Sequence, residues 1–220
     1  MSDRPQVIAI DGPAGAGKST IARALAARLG LDYLDTGAMY RAVTFAAMHR
    51  GVPVDDVPAV AALAREVELQ IGDDGVFVDG MDITNQIRRN DVTAAVSAIA
   101  SNSGVRTELR NRQRAWADAH SGGVIEGRDI GSVVFPDAIL KLYLTASPRV
   151  RAERRVAEAG GDVDEIERAI AVRDGHDTGR LDGPLLQADG SCTVDTTGLS
   201  IDEVLATIEG LLHMADDEQG

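Results

Sequence analysis

Residues 12–20 read Gly12-Pro13-Ala14-Gly15-Ala16-Gly17-Lys18-Ser19-Thr20, the spacing G-x-x-x-x-G-K-[ST] of a phosphate-cradling loop. Its chemistry is anion binding. Gly12, Gly15 and Gly17 let the backbone wrap the phosphates, with Pro13, Ala14 and Ala16 completing the loop, and bare N–H groups and a helix N-terminus face the anion. Lys18 is expected on the β- and γ-phosphates as a compact point charge. The Ser19 hydroxyl is the expected Mg²⁺ ligand, and Thr20 supports the loop from the helix. Of the chain's 22 basic residues only 2 are lysines, and Lys18 is one of them.

A phosphate loop alone gives nucleotide binding, so an acceptor site must decide the function. Three further clusters have suitable side chains. In Leu34-Asp35-Thr36-Gly37-Ala38-Met39-Tyr40-Arg41, Thr36, Tyr40 and Arg41 suit an acceptor pocket. Tyr40 can stack or hydrogen-bond, and Arg41 can fork onto a phosphate. In Val124-Ile125-Glu126-Gly127-Arg128-Asp129-Ile130-Gly131, a strand ends in an acid. Glu126 stands where a second-strand acid holds Mg²⁺-bound water. Arg128 and Asp129 suit a phosphate clamp and a base-edge contact, or else a simple ion pair on a turn. In Arg173-Asp174-Gly175-His176-Asp177-Thr178-Gly179-Arg180, following a helix, Arg173 and Arg180 suit convergence on a transferring phosphate and Asp177 a sugar hydroxyl. The plainer alternative there is a polar capping loop, with His176 a surface residue.

These clusters need a frame that brings them to one edge. Val7 to Ile10 is an apolar run suited to a strand buried on both faces. The helix after the loop puts Ile21, Leu25 and Leu29 on one face and stops at Gly30. Strands are expected at Leu31 to Leu34, Val124 to Glu126, Ile139 to Leu144 and Cys192 to Asp195. Helices are expected at Ala38 to Arg50, Pro148 to Ala159, Val163 to Asp174 and Ser200 to Met214, with Ser147 and Ser200 as caps. This alternation predicts an α/β fold, a parallel sheet with helices on both faces, whose strand ends face the ligand. Val67 to Ile71, the turn Gly72-Asp73-Asp74-Gly75 and Val76 to Gly80 instead have antiparallel hairpin chemistry. They mark an inserted α+β subdomain over about residues 60–105, either a surface decoration or a flap over a substrate.

At 220 residues one domain with an insertion is expected. The net charge of −13 argues against a nucleic-acid polymer or an anionic membrane surface as partner, but not against a nucleotide. No apolar run approaches the ~18 residues of a membrane span, and Met1 to Pro5 has no apolar signal core. The single Cys192 excludes an internal disulfide and a CxxC-type zinc site and fits a structural thiol in the cytoplasm. A monomer is expected. The tail from Ala215 to Gly220 reads as a frayed acidic end.

Together these segments resemble the bacterial cytidylate kinase family of P-loop nucleoside monophosphate kinases over essentially the whole chain. Residues 12–20 look like its ATP loop. Asp35 to Arg41, Val105-Arg106 with Arg112 to Trp116, and Glu126 to Gly131 look like its CMP-side motifs. The resemblance implies transfer of a phosphoryl group from ATP to CMP or dCMP, with Mg²⁺, and turns the insertion into a substrate flap. It implies that Ser97, Arg106, Arg128 and Asp129 contact the cytosine or its phosphate. Arg41, Arg128 and Arg180 would hold phosphates, and Arg173 and Asp177 would reach the sugar. Lys18, Arg128, Arg173 and Arg180 are then the catalytic cations, and a short lid at about 154–164 offers Arg154 and Arg155. Thr36 stands where a Ser is common in that family and keeps the hydroxyl. Other acceptors such as UMP, AMP or shikimate remain alternatives, as does a nucleotide-dependent switch, although neither lysine sits in the Asn-Lys-x-Asp of guanine-specific switches.

Overall fold

In the computed structural model, residues 5–72 and 74–217 are described. The chain divides into two compact units, one made of the stretch up to Tyr33 and the stretch from Ala117 onward, the other of Leu34–Trp116. The hairpin segment lies inside the second unit, which is wider than residues 60–105.

The first unit holds the phosphate loop. Strands β1 (Gln6–Asp11), β2 (Tyr33–Asp35), β6 (Gly122–Gly127), β7 (Leu140–Thr145) and β8 (Cys192–Asp195) form a five-stranded sheet in the order β2-β6-β1-β7-β8. β1 pairs in parallel with β6 and β7, and β7 with β8. β1 buries five consecutive residues, Val7 to Asp11, and β6 buries all six. A strand covered on both faces has that pattern. Helices α1 (Lys18–Leu29) and α8 (Ile201–Asp217) close one core with the sheet, in which Ile8, Ile10, Leu25, Leu142, Leu144 and Ile208 are almost fully enclosed. Gly30 ends α1 in the left-handed conformation, and the Leu31 N–H donates to the Ala26 carbonyl at 2.9 Å, a common helix stop. Leu29, expected on the apolar face of α1, is 39% exposed, because it falls in the last turn, beyond the part of the helix that the core covers.

α6 (Pro148–Ala159) starts at Pro148 with the Ser147 side chain accepting from the Val150 N–H. At α8, Ser200 and Glu203 bond reciprocally, 2.8 Å one way and 3.3 Å the other, a capping box. α7 (Val163–Thr178) corrects the sequence expectation. It does not stop at Asp174 but runs to Thr178, so Gly175, His176 and Asp177 are helical. The expected frayed tail also shortens, since α8 continues to Asp217 and residues 218–220 lie outside the described residues. Cys192 is only partly buried on its strand. Among the described residues no helix is long and apolar enough to cross a membrane.

The second unit is built on α2 (Thr36–His49), whose covered face is mostly small: Ala38, Ala42, Val43, Ala46 and Ala47. Against it pack α3 (Val57–Glu66), α4 (Asn90–Ser101) and the antiparallel sheet of β3 (Leu69–Gly72), β4 (Gly75–Val78) and β5 (Met81–Asp82). Asp73 of the expected hairpin turn lies outside the described residues. α5 (Ser103–Ala119) buries Val105, Leu109, Gln113 and Ala117, a stripe at every fourth residue.

Candidate active site

The phosphate loop joins β1 to α1, and two of its glycines are required by close approach. A Cβ on Gly12 would stand 2.0 Å from the Leu144 carbonyl oxygen, where β7 passes the loop. A Cβ on Gly15, at φ +77°, would stand 2.8 Å from the Arg151 carbonyl oxygen. Lys18 opens α1 with 6% of its surface exposed, and its Nζ donates to the Pro13 carbonyl at 2.9 Å. Ser19 and Thr20 follow on the exposed side of the first turn.

The surroundings of Lys18 define the site's electrostatics. Burial is the largest influence and pushes the amine down to about 7; the Arg128 charge lowers it next, Glu126 opposes, Arg173 lowers it further and Asp11 opposes. Asp11, the neighbours Glu126 and Arg128, and Arg173, from three distant stretches of the sequence, are thus within electrostatic reach of one amine. A polyphosphate on the loop favours the ammonium form. Binding above pH 7 must therefore take up a proton, and affinity must fall as pH rises, by up to about tenfold per unit. Titrating Mg·ATP into the protein at pH 8 in buffers of different ionisation enthalpy should give a net proton uptake. Zero uptake would remove Lys18 from the phosphates.

Glu126 sits near the end of β6 and accepts the Tyr33 hydroxyl at 2.7 Å. Beyond it, Arg128 Nε donates to Asp177 Oδ2 at 2.9 Å. Arg180 Nε donates to the Asp177 carbonyl at 3.2 Å, and its Nη2 stands 3.7 Å from Asp177 Oδ1. The side chains of Arg128, Asp177 and Arg180 are only 18%, 7% and 6% exposed. Three residues named separately from sequence thus meet on one buried carboxylate, presented by the last turn of α7. Arg173 lies one turn earlier on that helix, and Asp129 is buried at the tip beyond β6.

Asp11 is a residue the sequence reading missed. Its two carboxylate oxygens accept the N–H groups of Ile130 and Gly131, each at 2.8 Å. It therefore fixes the start of the wide π-helical turn Ile130–Val134 that follows Arg128 and Asp129. Burial pushes Asp11 up to about 6; the two amides oppose that, Asp129 adds to it and Lys18 opposes it. The available signal was an acid closing an otherwise apolar strand, one residue before Gly12.

Within the second unit, Thr36 is buried in the first turn of α2. One turn on, the Tyr40 ring lies 5.6 Å from the guanidinium carbon of Arg106, a cation–π contact. Arg106 is 1% exposed and donates to the Ala100 carbonyl at 3.2 Å. Arg41 donates to Thr93 Oγ1 at 2.8 Å and to the Ile87 carbonyl at 3.2 Å. Ser97 is one turn beyond Thr93 on α4, on the same side of the helix. Of the two expected lid arginines in the first unit, Arg154 is bonded to the Thr196 hydroxyl at 2.9 Å and the Thr196 carbonyl at 2.8 Å, and Arg155 pairs with Glu158 at 2.9 Å. The segment is the tip of a helical hairpin, α6 and α7 joined through Gly160 and Gly161.

Ser19 and Glu126 supply a hydroxyl and a carboxylate, the hard oxygen donors that Mg²⁺ prefers. Among the described residues no cluster of three or more His, Cys, Asp or Glu side chains forms a metal cage. This donor set fits a cation that completes its shell with substrate phosphates and water.

Comparison with known proteins places the chain in a family. The Cytidylate kinase family model matches residues 8–214. A cytidylate kinase of Streptomyces avermitilis is 44% identical over 213 residues, covering 94% of this chain and 92% of that protein. One of Corynebacterium efficiens is 45% identical, covering 93% of each. A bifunctional pantoate ligase/cytidylate kinase of a Synechococcus strain is 46% identical, and the match spans 96% of this chain but 46% of that longer protein. Among solved structures, an uncharacterized protein from Eubacterium ventriosum aligns with a TM-score of 0.55 at 11% identity, covering 94% of this chain and 98% of that one, a likeness of fold alone. Matched from β1 to α8 by one family model, and to the Streptomyces and Corynebacterium cytidylate kinases over more than nine-tenths of their length, the chain belongs to the cytidylate kinase family.

Proposed function

We propose that this chain transfers the γ-phosphoryl group of ATP to CMP or dCMP, giving ADP and CDP or dCDP. The observation that carries the reading is the buried Lys18 on a phosphate loop, with the charges of Arg128 and Arg173 within its reach. An oxygen of the acceptor's phosphate attacks the γ-phosphorus in line, and the bond to the β–γ bridging oxygen breaks, leaving ADP. A phosphate monoester is already largely dianionic at pH 7, since its second pKa is about 6, so the chain need supply no general base. Its task is alignment and neutralisation of charge. Residues 12–20 hold the triphosphate, and Lys18 neutralises the β- and γ-phosphates. Ser19 and Glu126 hold Mg²⁺, which when bound neutralises charge on the phosphate oxygens.

To acceptor recognition we assign Thr36, Tyr40, Arg41, Ser97, Arg106, Arg128, Asp129, Arg173, Asp177 and Arg180, on the family resemblance of their sequence motifs. Arg128, Arg173 and Arg180 also stabilise the transferring phosphoryl group. The segment at about 154–164 serves as lid, and the insertion around 60–105 as flap, excluding water that would otherwise hydrolyse ATP. The chain acts as a monomer in the cytoplasm, on small nucleotides only. ADP release from Mg·ATP, measured with CMP, dCMP, UMP, AMP and shikimate added separately, tests this. Strong stimulation is expected with CMP and dCMP alone; slow hydrolysis unchanged by every acceptor would remove the kinase reading.

A further inference from the structure

The peptide of Ala14, in the middle of the phosphate loop, is gripped at both ends from outside the loop. Its N–H donates to Asp174 Oδ1 at 3.2 Å, and its carbonyl accepts Arg151 Nη1 at 3.0 Å. The same Nη1 donates to Asp174 Oδ2 at 2.5 Å, which closes the ring. Arg151 belongs to α6 and Asp174 to α7, 160 residues along the chain from Ala14. Both side chains are largely enclosed, 10% and 18% exposed. The backbone of Arg151 is also the wall that leaves no room for a Cβ at Gly15.

We propose that Arg151 and Asp174 are positioning residues that hold the phosphate loop in its nucleotide-receiving shape before ATP arrives. The proposal rests on the reading above that this loop binds ATP. A loop with glycines at 12, 15 and 17, all at positive φ, has much conformational freedom to lose. Fixing its central peptide beforehand removes part of that cost from binding. The shape of the loop thus depends on one carboxylate from α7.

The charges give the pair a distinctive signature. Arg151 Nε has no partner among the described residues, and Asp174 is the carboxylate that answers the buried guanidinium. Asp174→Ala leaves both a freed amide and an uncompensated buried cation beside the loop, whereas also removing the cation is less damaging. Mg·ATP binding is measured by titration without acceptor for the unaltered chain, Asp174→Ala, Arg151→Met and the double variant. Amide exchange at Ala14 and Gly15 is followed in the nucleotide-free proteins.

Asp174→Ala is expected to bind Mg·ATP about tenfold more weakly, at the low end for loss of a charge-assisted hydrogen bond. It should exchange the two amides faster and leave the acceptor KM within about twofold, and adding Arg151→Met should restore much of the ATP affinity. Should Asp174→Ala fail to fold, Asp174→Asn keeps an acceptor for the Ala14 amide while dropping the charge, and should show the same pattern at about threefold. Unchanged ATP affinity and exchange, an acceptor KM that moves as far as that of ATP, or a double variant with additive losses would overturn the pair's role. Absence of Mg·ATP binding by the unaltered chain would overturn the function reading and the pair's role with it. Mg·ATP binding by the unaltered chain without acceptor-stimulated turnover would remove only the acceptor assignment, and the role of the pair is then decided by the binding and exchange data alone.

Discussion

Lys18→Met is expected to turn over CMP about 10³-fold more slowly than the unaltered chain, with its fold intact. The expected loss is large because the proposed function makes this ammonium the compact charge on the β- and γ-phosphates, in a site where burial strengthens each electrostatic contact. Removing a single preorganised hydrogen-bond donor elsewhere costs about 10²–10³, and here a whole charge goes. The fold survives because methionine keeps an unbranched stem in an enclosed site and needs no hydration. Stability should even rise on the acid side. The folded chain lowers Lys18 from 10.5 to about 7, so between these values the unfolded state binds more protons and stability increases with pH. Below pH 7 that contribution is gone, since the buried amine must then be charged. Lys18→Met abolishes this slope, and its melting temperature should match or exceed that of the unaltered chain at pH 6. Steady-state ADP release and thermal melts at pH 6 and 9 check both parts; normal turnover would remove Lys18 from the chemistry.

The second large effect is selective. Arg128→Ala should raise the KM for CMP by about 10- to 100-fold, the range for lost hydrogen bonds to a charged group, and that for ATP by no more than about threefold. Asp177 keeps the nearby Arg180 side chain, so a buried carboxylate is not left wholly unanswered. Arg128→Lys should not rescue, because one ammonium cannot meet Asp177 and a phosphate with the geometry of a planar fork. There is also a signature at a distance. Arg128 is the largest charge influence holding Lys18 down, so its removal lifts that amine. The pH above which Mg·ATP affinity declines should move upward in Arg128→Ala. Equal loss of both substrates, with no such movement, would count against Arg128 as an acceptor-side group.

The phosphate loop was legible in the sequence because its spacing encodes backbone conformation: Gly12 and Gly15 stand where β7 and α6 leave no room for a Cβ. Elements with strong local signals were also legible, as at Pro148–Ala159 with its Ser147 cap and at Cys192–Asp195. What escaped was buried polarity. The stripe of α5 contains Gln113, and the neighbouring Arg106 is almost fully enclosed, so no apolar period announces the helix. α7 continues through Gly175 and His176 because Asp177 is buried on Arg128 and Arg180, a tertiary reason that no local propensity carries. Asp11 and the π-helical turn it holds escaped for the same cause, since their bonds span about 120 residues. Arg128, Asp177 and Arg180 could be named singly from sequence, but not joined.

The scarcity of lysine has a chemical consequence. Twenty of the 22 basic residues are arginines, whose guanidinium groups stay protonated throughout the range in which proteins are handled. Two lysine amines remain. Lys141 donates to the Pro136 carbonyl at 3.1 Å, and Lys18 is held near neutrality by its surroundings. Acylating and carbonyl reagents attack the unprotonated amine, and burial shifts Lys18 toward that form near neutral pH. On the proposed reading, a bound nucleotide both covers that nitrogen and restores its proton. Mass labelling of one lysine peptide thus reports nucleotide occupancy of the loop directly, with no coupled enzyme and no acceptor present.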